Sequence, residues 1–351
     1  MILGIRFFSG SRKIGLQILS NQNTETFLTD AHRQVYGFPA PKTKGIFMTE
    51  QFKGNLMLLI ASLIWGSAFV AQSAGMEFVG PFTYNMSRSF IGLLVLIPVT
   101  IFFRKRRTKY HPLSEEKRRL LNKNSLVGGI FCGLVLSVAS NLQQVGLSST
   151  TAGKAGFITA LYIVIVPVIG LLLGKKVTKL IWFCVFTAIT GFYLLCIKEG
   201  FSIGKGDILC LLGAFTFSAH ILVIDHFSTG YTDGVMISCV QFAVVGLMSM
   251  LLTIFFETPS FAAIWEARLT ILYSGILSSG VAYTLQILGQ RTTNPAIAPL
   301  IMSMESVFAV FFGWLILHET MTLKEMLGCI IVFIAVVLAQ LPASKISEHE
   351  G

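Results

Sequence analysis

The sequence contains few charged residues. They make up 13% of its 351 positions, whereas hydrophobic residues make up 54%. A soluble domain usually carries about 25% charged residues, so this chain has too few to cover a surface that faces water. The composition therefore excludes an ordinary soluble globular protein and indicates a membrane protein.

Cysteine is also scarce, and its placement follows no functional pattern. All six cysteines fall inside hydrophobic stretches without the spacing of metal ligands, so we expect them to pack as small apolar residues. The sequence has no His-x-x-x-His pair and no Gly-rich phosphate loop followed by Lys-Ser/Thr. We therefore assign no catalytic residue, metal or cofactor, and the chain is not predicted to be an enzyme.

The hydrophobic residues gather in ten runs of about 20 residues, which is the length that a helix needs to cross a hydrocarbon core of ~30 Å. Because lipid offers no hydrogen bonds to the backbone, runs of this length must be helical. We predict an all-α integral membrane protein with ten transmembrane helices. They lie at 54–73, 83–103, 125–146, 153–173, 177–197, 206–226, 235–256, 269–288, 296–317 and 322–341.

The net charge of +10 is concentrated in one place, because nine of the 27 basic residues lie between Arg104 and Lys123. No RNA-binding signature accompanies them, so no nucleic-acid partner is expected. Basic loops between spans normally face the cytoplasm. The distribution predicts a multi-pass protein of the cell (plasma or inner) membrane with both termini in the cytoplasm.

The chain repeats itself. Residues 54–59 resemble residues 206–211, which sets Trp65 opposite Phe217, and Leu142-Gln143 with Gly146 matches Leu285-Gln286 with Gly289. A repeat of five spans is odd in number, so the two halves must lie in opposite orientations. Inverted repeats are typical of alternating-access transporters, whose substrate site lies near the midplane between the halves.

These features divide the chain into four predicted parts. Residues 48–199 and 200–343 form the two five-helix repeats, and residues 344–351 form a cytoplasmic tail. Residues 1–47 are polar and contain no run long enough for a signal peptide. We expect them to be either a disordered N-terminal tail or a mis-assigned start, since Met48 precedes the first span.

Several stretches resemble the EamA-type members of the drug/metabolite transporter superfamily. They are Leu63 to Val70, the segment around Arg88, Gly156 to Pro167, Tyr283 to Gln290, Ser303 to Ala309 and Leu317 to Thr322. The resemblance covers about 53–341. It implies export of amino acids, other metabolites or drugs, and a more distant similarity to nucleotide-sugar carriers. Two departures are Ser306, where the family often has Pro, and Gly174-Lys175, where it often has Gly-Glu.

Charged side chains inside the spans are the first candidates for a substrate pathway, because a charge in lipid is costly. Arg88 either reaches outward or to helix carbonyls, or contacts substrate. Glu305 lies mid-span. The offset from Gln143 to Gln286 sets it opposite Tyr162, whereas anchoring on Pro167 and Ser306 sets it opposite Val166, one turn along the same face. Tyr162 and Glu305 either line a shared cavity or brace neighbouring helices.

Uncharged polar and aromatic residues complete the candidate list. His220 either hydrogen-bonds a neighbouring helix or carries protons, for which its ordinary pKa is suited. Gln144 and Gln286, like Gln143, either join helices or line the pathway. Trp65 either packs beside Gly66 or lines the cavity.

The sequence thus predicts a secondary transporter or exporter of small metabolites or drugs that works by alternating access. Its partners are a small-molecule substrate and the lipid bilayer, with proton coupling as a candidate driving force. The alternatives are an intramembrane enzyme, a channel, or an exchanger like the nucleotide-sugar carriers. A channel would carry a selectivity filter or charged rings, which the sequence does not show.

Overall fold

The structure is a computed structural model that describes residues 44–110, 112–150, 152–174, 177–196, 204–228, 231–317 and 322–339. Within these ranges every regular element is helical. Residues 44–47, predicted as part of the tail, form the first turn of a helix. The predictions for residues 1–43 and 344–351 lie outside the described residues.

The helices are numbered here in chain order. They are α1 Lys44–Gly75, α2 Pro81–Tyr110, α3 Glu115–Leu147, α4 Ala152–Ala160, α5 Tyr162–Leu172, α6 Lys179–Cys196, α7 Lys205–Ser228, α8 Gly234–Phe256, α9 Phe261–Glu266, α10 Arg268–Tyr273, α11 Tyr283–Gln290, α12 Ala298–Met302, α13 Met304–Leu317 and α14 Leu323–Ala339. A π-helical segment, Ser274–Ala282, joins α10 to α11.

Eight of the described helical stretches are long and apolar enough to cross a membrane. They comprise α1, α2, α3, α4 with α5, α7, α8, α10 through α11, and α12 with α13. Two shorter apolar stretches, Lys179–Leu194 and Met326–Ala339, belong to α6 and α14. These two helices pack closely, since a Cβ atom on Gly191 would lie 2.8 Å from the carbonyl oxygen of Gly328.

The predicted loop between the second and third spans, 104–124, is largely wrong. α2 continues to Tyr110 and α3 begins at Glu115, so only residues around Pro112 separate them. The Ser114 side chain caps α3 by accepting a hydrogen bond from Lys117 N at 3.4 Å, and Glu115 and Glu116 suit the positive end of the helix dipole. The basic cluster therefore lies on helix rather than on loop.

The fourth and ninth predicted spans are interrupted, but the interruptions do not fall at their prolines. Pro167 lies inside α5, and Pro299 lies in the first turn of α12. The helices break at Leu161 and Ser303, where short-range bonds (Val164 N to Leu161 O, and Ser306 N to Ser303 O) replace the α-helical pattern.

The π-helical segment was not predicted, and it lies where α2 crosses closely. A Cβ atom on Gly275 would lie 2.9 Å from the carbonyl oxygen of Arg88, and one on Gly92 would lie 2.7 Å from Ser279 Cβ. π-Helical turns are rare and occur frequently at functional sites. This one brings Ser278 to the centre of the molecule.

Close contacts fix the relative direction of α1 and α7. The beginning of α7 lies at the end of α3, since a Cβ on Gly206 would be 2.6 Å from the carbonyl oxygen of Gly146. The beginning of α1 lies at the end of α11, where Gly54 meets Gly289. Gln290 Nε2, also at that end, donates to the carbonyl of Ile221 in the second half of α7. α1 and α7 therefore start at opposite ends of the helix bundle.

Candidate functional site

A cavity lies in the middle of the bundle, between side chains from both halves of the chain. The empty space totals about 470 Å³. The walls are mainly polar and aromatic, with two aliphatic side chains, Ile221 and Met302. The walls comprise Trp65, Phe69, Gln72, Arg88, Gln143, Thr159, Tyr162, Phe217, His220, Ile221, Ser278, Tyr283, Gln286, Met302 and Glu305.

Positions that the repeat alignment matches meet at this cavity. Trp65 and Phe217 both line it, as do Gln143 and Gln286, and Tyr162 and Glu305. The first member of each pair comes from the first half and the second member from the second half. The cavity therefore lies where equivalent surfaces of the two halves face each other.

Glu305 and Tyr162 are in direct contact across this boundary. The Tyr162 hydroxyl donates a hydrogen bond to Glu305 Oε1 at 3.0 Å, and both side chains are buried. Tyr162 directly follows the helix break at Leu161, and Glu305 lies two positions after the break at Ser303. The breaks thus set the position of both polar side chains at the cavity wall.

Arg88 is buried rather than directed to a membrane surface, with 4% of its surface exposed. Its Nε donates to Asn85 Oδ1 at 2.9 Å. Asn85 Nδ2 in turn lies 3.0–3.1 Å from acceptors on Ser140, Asn141 and Ser249. A polar network spanning α2, α3 and α8 therefore holds the guanidinium against the cavity.

No ion pair joins Arg88 to Glu305 among the described residues. A neutral amide holds the Arg88 side chain, and a neutral hydroxyl contacts Glu305. Neither side chain forms an ion pair within that part of the chain. Both groups can therefore interact electrostatically with a solute that enters the cavity.

Tyr283 forms the aromatic centre of the site. Its ring contacts Trp65 edge-on at a centroid distance of 4.9 Å, Phe242 at 5.3 Å and His220 at 6.1 Å. His220 also has Nε2 3.3 Å from Gln241 Oε1. This contact joins α7 to α8 beside the cavity.

Three polar atoms on the cavity residues have no hydrogen-bond partner among the described residues. They are Trp65 Nε1, His220 Nδ1 and Gln286 Oε1. A buried polar atom without a partner is costly, so such atoms call for water or a ligand. The three supply at least one donor, Trp65 Nε1, and one acceptor, Gln286 Oε1, for a polar solute.

Of the seven candidates chosen from the sequence, six lie at this cavity and Gln144 does not. Gln144 Nε2 instead contacts Met76 Sδ at 3.0 Å. Gln143 occupies the cavity position and donates to Thr159 Oγ1 at 3.0 Å. The repeat match of Gln143 with Gln286 was the signal that could have selected it.

Sequence reasoning also missed Tyr283 and Ser278. Tyr283 begins one of the stretches on which the family resemblance depends, but nothing marked it as central. Ser278 reaches the cavity from the unpredicted π-helical segment. The described residues include no cluster of three or more His, Cys, Asp or Glu side chains that could hold a metal ion.

Comparison with known sequences identifies the family. The sequence profile of the EamA-like transporter family matches residues 52–197 and again residues 204–341. The chain belongs to the EamA-like transporter family. It is thus a multi-pass membrane transporter, as its apolar helices also indicate.

Two relatives in the family align over most of their length. An uncharacterized transporter of Archaeoglobus fulgidus is 31% identical over 288 residues, which cover 82% of this chain and 85% of the relative. The uncharacterized transporter YoaV of Bacillus subtilis is 24% identical over 285 residues, covering 80% and 94%.

The fold is also similar to a solved crystal structure, with a TM-score of 0.66 at 16% sequence identity. The match covers 83% of this chain and 98% of that protein. At this identity the likeness concerns the fold alone.

Proposed function

We propose that this EamA-like protein is a secondary transporter that moves small metabolites or drugs across the cell membrane by alternating access. Ten transmembrane helices form two inverted five-helix repeats, and both termini lie in the cytoplasm. The central cavity is the substrate site. The observation that carries the proposal is that repeat-matched side chains from both halves line this one cavity.

Helix pairing supports the inverted arrangement. α2 and α8, which are repeat counterparts, are joined at both ends. Glu257 at the end of α8 accepts hydrogen bonds at 2.8 Å from Phe82 N and Thr83 N at the beginning of α2. Arg107 near the end of α2 pairs with Asp233, which caps the beginning of α8. α2 and α8 therefore run antiparallel. Two counterpart helices that pack on each other must do so if the repeats are inverted.

Other helix contacts follow the same symmetry. α3 packs against α7, and its counterpart, the segment from α10 to α11, packs against α1. α4 and α5 pack against α7, whereas α12 and α13 pack against α1. Each helix of one half therefore packs against the same neighbours as its counterpart in the other half. Such symmetry is expected of inverted repeats that move against each other during alternating access.

The chemistry of the cavity supports a small polar solute as substrate. Arg88 provides a fixed guanidinium, Glu305 provides a carboxyl group, and Trp65 and Tyr283 provide aromatic faces. These groups come from both halves of the chain, so a solute bound among them contacts both repeats, as in a carrier with its site between two repeats.

Glu305 is our candidate for proton coupling, with His220 as the second choice. Among the described residues the Glu305 carboxyl contacts Tyr162 but no cation. A carboxyl group at this depth can bind and release a proton as the cavity opens to either side. Solute exchange needs only the loaded carrier to move, whereas accumulation needs this proton step.

A transport screen tests the proposal. Purified protein in proteoliposomes is assayed for uptake and exchange of radiolabelled amino acids, nucleotide sugars and cationic drugs. We expect saturable exchange of at least one class, abolished in Arg88→Gln and retained in the lipid-facing control Thr187→Val, whose hydroxyl bonds only its own helix at 2.8 Å. Non-saturable flux would instead indicate a channel, and would contradict the proposal.

A further inference from the structure

One polar cluster joins the two halves at the beginning of α7. Asp207 Oδ1 accepts a hydrogen bond from Thr150 Oγ1 at 2.8 Å, and Asp207 Oδ2 accepts from Lys154 Nζ at 2.6 Å. Gly204 N donates to the same Oδ2 at 2.7 Å. The carboxylate is buried, with 5% of the residue exposed. Asp207 belongs to the second half, whereas Thr150 and Lys154 belong to the first. We call this group the Asp207 latch.

A second cluster joins the halves at Asn55, in the first half of α1. Thr293 Oγ1 donates to Asn55 Oδ1 at 3.1 Å, and both residues are buried. Here Asn55 belongs to the first half and Thr293 to the second. We call this pair the Asn55 latch. Since α1 and α7 begin at opposite ends of the bundle, the two latches lie at opposite ends as well.

The two latches occupy equivalent positions in the repeat. Asn55 matches Asp207 through the shared motif at 54–59 and 206–211. The offset that matches Gln143 to Gln286 also matches Thr150 to Thr293. Each latch thus joins a threonine, in the connection after one helix, to a residue in the first turns of a helix from the other half.

Matched glycines place the helix backbones in direct contact beside each latch. A Cβ on Gly206 would lie 2.6 Å from the Gly146 carbonyl oxygen, and one on Gly146 would lie 2.8 Å from that of Gly206. At the other end, the corresponding distances between Gly54 and Gly289 are both 2.9 Å. Such close approach brings the polar residue that follows each glycine within reach of its threonine.

We propose that the Asp207 latch and the Asn55 latch are the two gates of the transport cycle, each closing one end of the cavity. The inference rests on the proposed alternating access. In this conformation both latches are formed. Opening to one side breaks one latch and keeps the other.

The contacts described for the two latches differ in charge, since only the Asp207 latch includes an ion pair among them. The Asp207 latch has a carboxylate and the ammonium of Lys154, whereas Asn55 is uncharged and the position equivalent to Lys154 is Ile297. Charge-assisted hydrogen bonds are roughly twice as strong as neutral ones. The unloaded carrier therefore opens more readily at the Asn55 end than at the Asp207 end.

Distances between pairs of spin labels test the two gates separately. One pair at Ser148 and Lys205 reports on the Asp207 end, and one pair at Lys53 and Asn294 reports on the Asn55 end. All four residues are exposed. The labels are attached to introduced cysteines, in protein whose native cysteines are replaced by alanine, reconstituted in lipid nanodiscs.

Substitutions in the latches should open one end at a time. Asp207→Asn is expected to raise the open fraction at the Asp207 end about 10-fold, because it removes a charge-assisted hydrogen bond. Thr150→Val should raise it about 5-fold, because it removes a neutral hydrogen bond. Thr293→Val should raise the open fraction at the Asn55 end about 5-fold. In each case the distance at the other end stays short.

Thr187→Val is the matched control, since among the described residues the Thr187 hydroxyl donates to Phe183 O in its own helix at 2.8 Å and lies in neither latch. If Asp207→Asn fails to fold, Thr150→Val and Thr293→Val carry the test. Unchanged distances in folded variants, or one substitution that opens both ends, would overturn the proposal. The labels need no solute, so a failed transport screen would contradict the proposed function without altering this result.

Discussion

Asn85 offers a sharp test of how the site is held together. Its Oδ1 accepts the bond from Arg88 Nε, and its Nδ2 faces three acceptors on α3 and α8. In Asn85→Ala, Arg88 loses the only hydrogen bond that its Nε makes among the described residues. Asn141 and Ser249 keep each other as partners at 3.0 Å. Arg88 is therefore the residue that is left without its hydrogen-bond partner.

The size of the effect follows from the bonds that are removed. Asn85 Nδ2 has two hydrogens, so it donates at most two full interhelical bonds at a time. Two bonds at ~0.6 kcal/mol each, the average inside membranes, give a loss of about 1 kcal/mol in the free energy of unfolding. Ser140→Ala removes one of these contacts, at 3.1 Å, and leaves the bond to Arg88 intact. It should therefore cost about 0.6 kcal/mol.

The assay compares both variants in two measurements, unfolding in mixed micelles and the KM of the solute found in the transport screen. We expect Asn85→Ala to raise KM about 10-fold, because the guanidinium is no longer fixed at the cavity. Ser140→Ala should leave KM nearly unchanged. Equal changes in KM for the two variants would refute the view that Asn85 positions Arg88.

Three further predictions concern coupling, topology and packing. Glu305→Gln should fold and exchange solute normally but lose accumulation driven by a pH gradient; unchanged accumulation would move the proton role to His220. Reporter tags after residue 346 and within 108–117 should read cytoplasmic and tags within 258–264 external, and an external reading after residue 346 would contradict the inverted model. Gly66→Ala should destabilise the protein by about 1–3 kcal/mol in thermal unfolding, because its Cβ would lie 2.8 Å from the Glu305 carbonyl oxygen; an unchanged midpoint would show that α1 can shift.

The sequence predicted the helical class and the approximate positions of the long apolar helices, because runs of about 20 apolar residues have few other structures in lipid. It did not predict that α2 and α3 extend through the basic region, since charge there indicates exposure but not the absence of helix. The π-helical segment 274–282 was also missed, because it depends on a tertiary contact with α2.

Candidate residues were chosen by two kinds of reasoning. The cost of charge in lipid selected Arg88 and Glu305, and both line the cavity. The choice of Gln144 instead of Gln143 shows the limit of this approach, since one residue along a helix rotates the side chain by about 100°. Only the partner across the repeat, Gln286, distinguishes the two glutamines before the structure is known.

The most direct test of the central claim is whether one cavity residue can be reached from both sides of the membrane. Ser278→Cys and Tyr162→Cys, each in protein without its native cysteines, are treated with a membrane-impermeant thiol reagent in right-side-out and in inside-out vesicles. Alternating access predicts labelling from both sides and protection by the transported solute. Labelling from one side alone, or equal labelling with and without solute, would contradict the account.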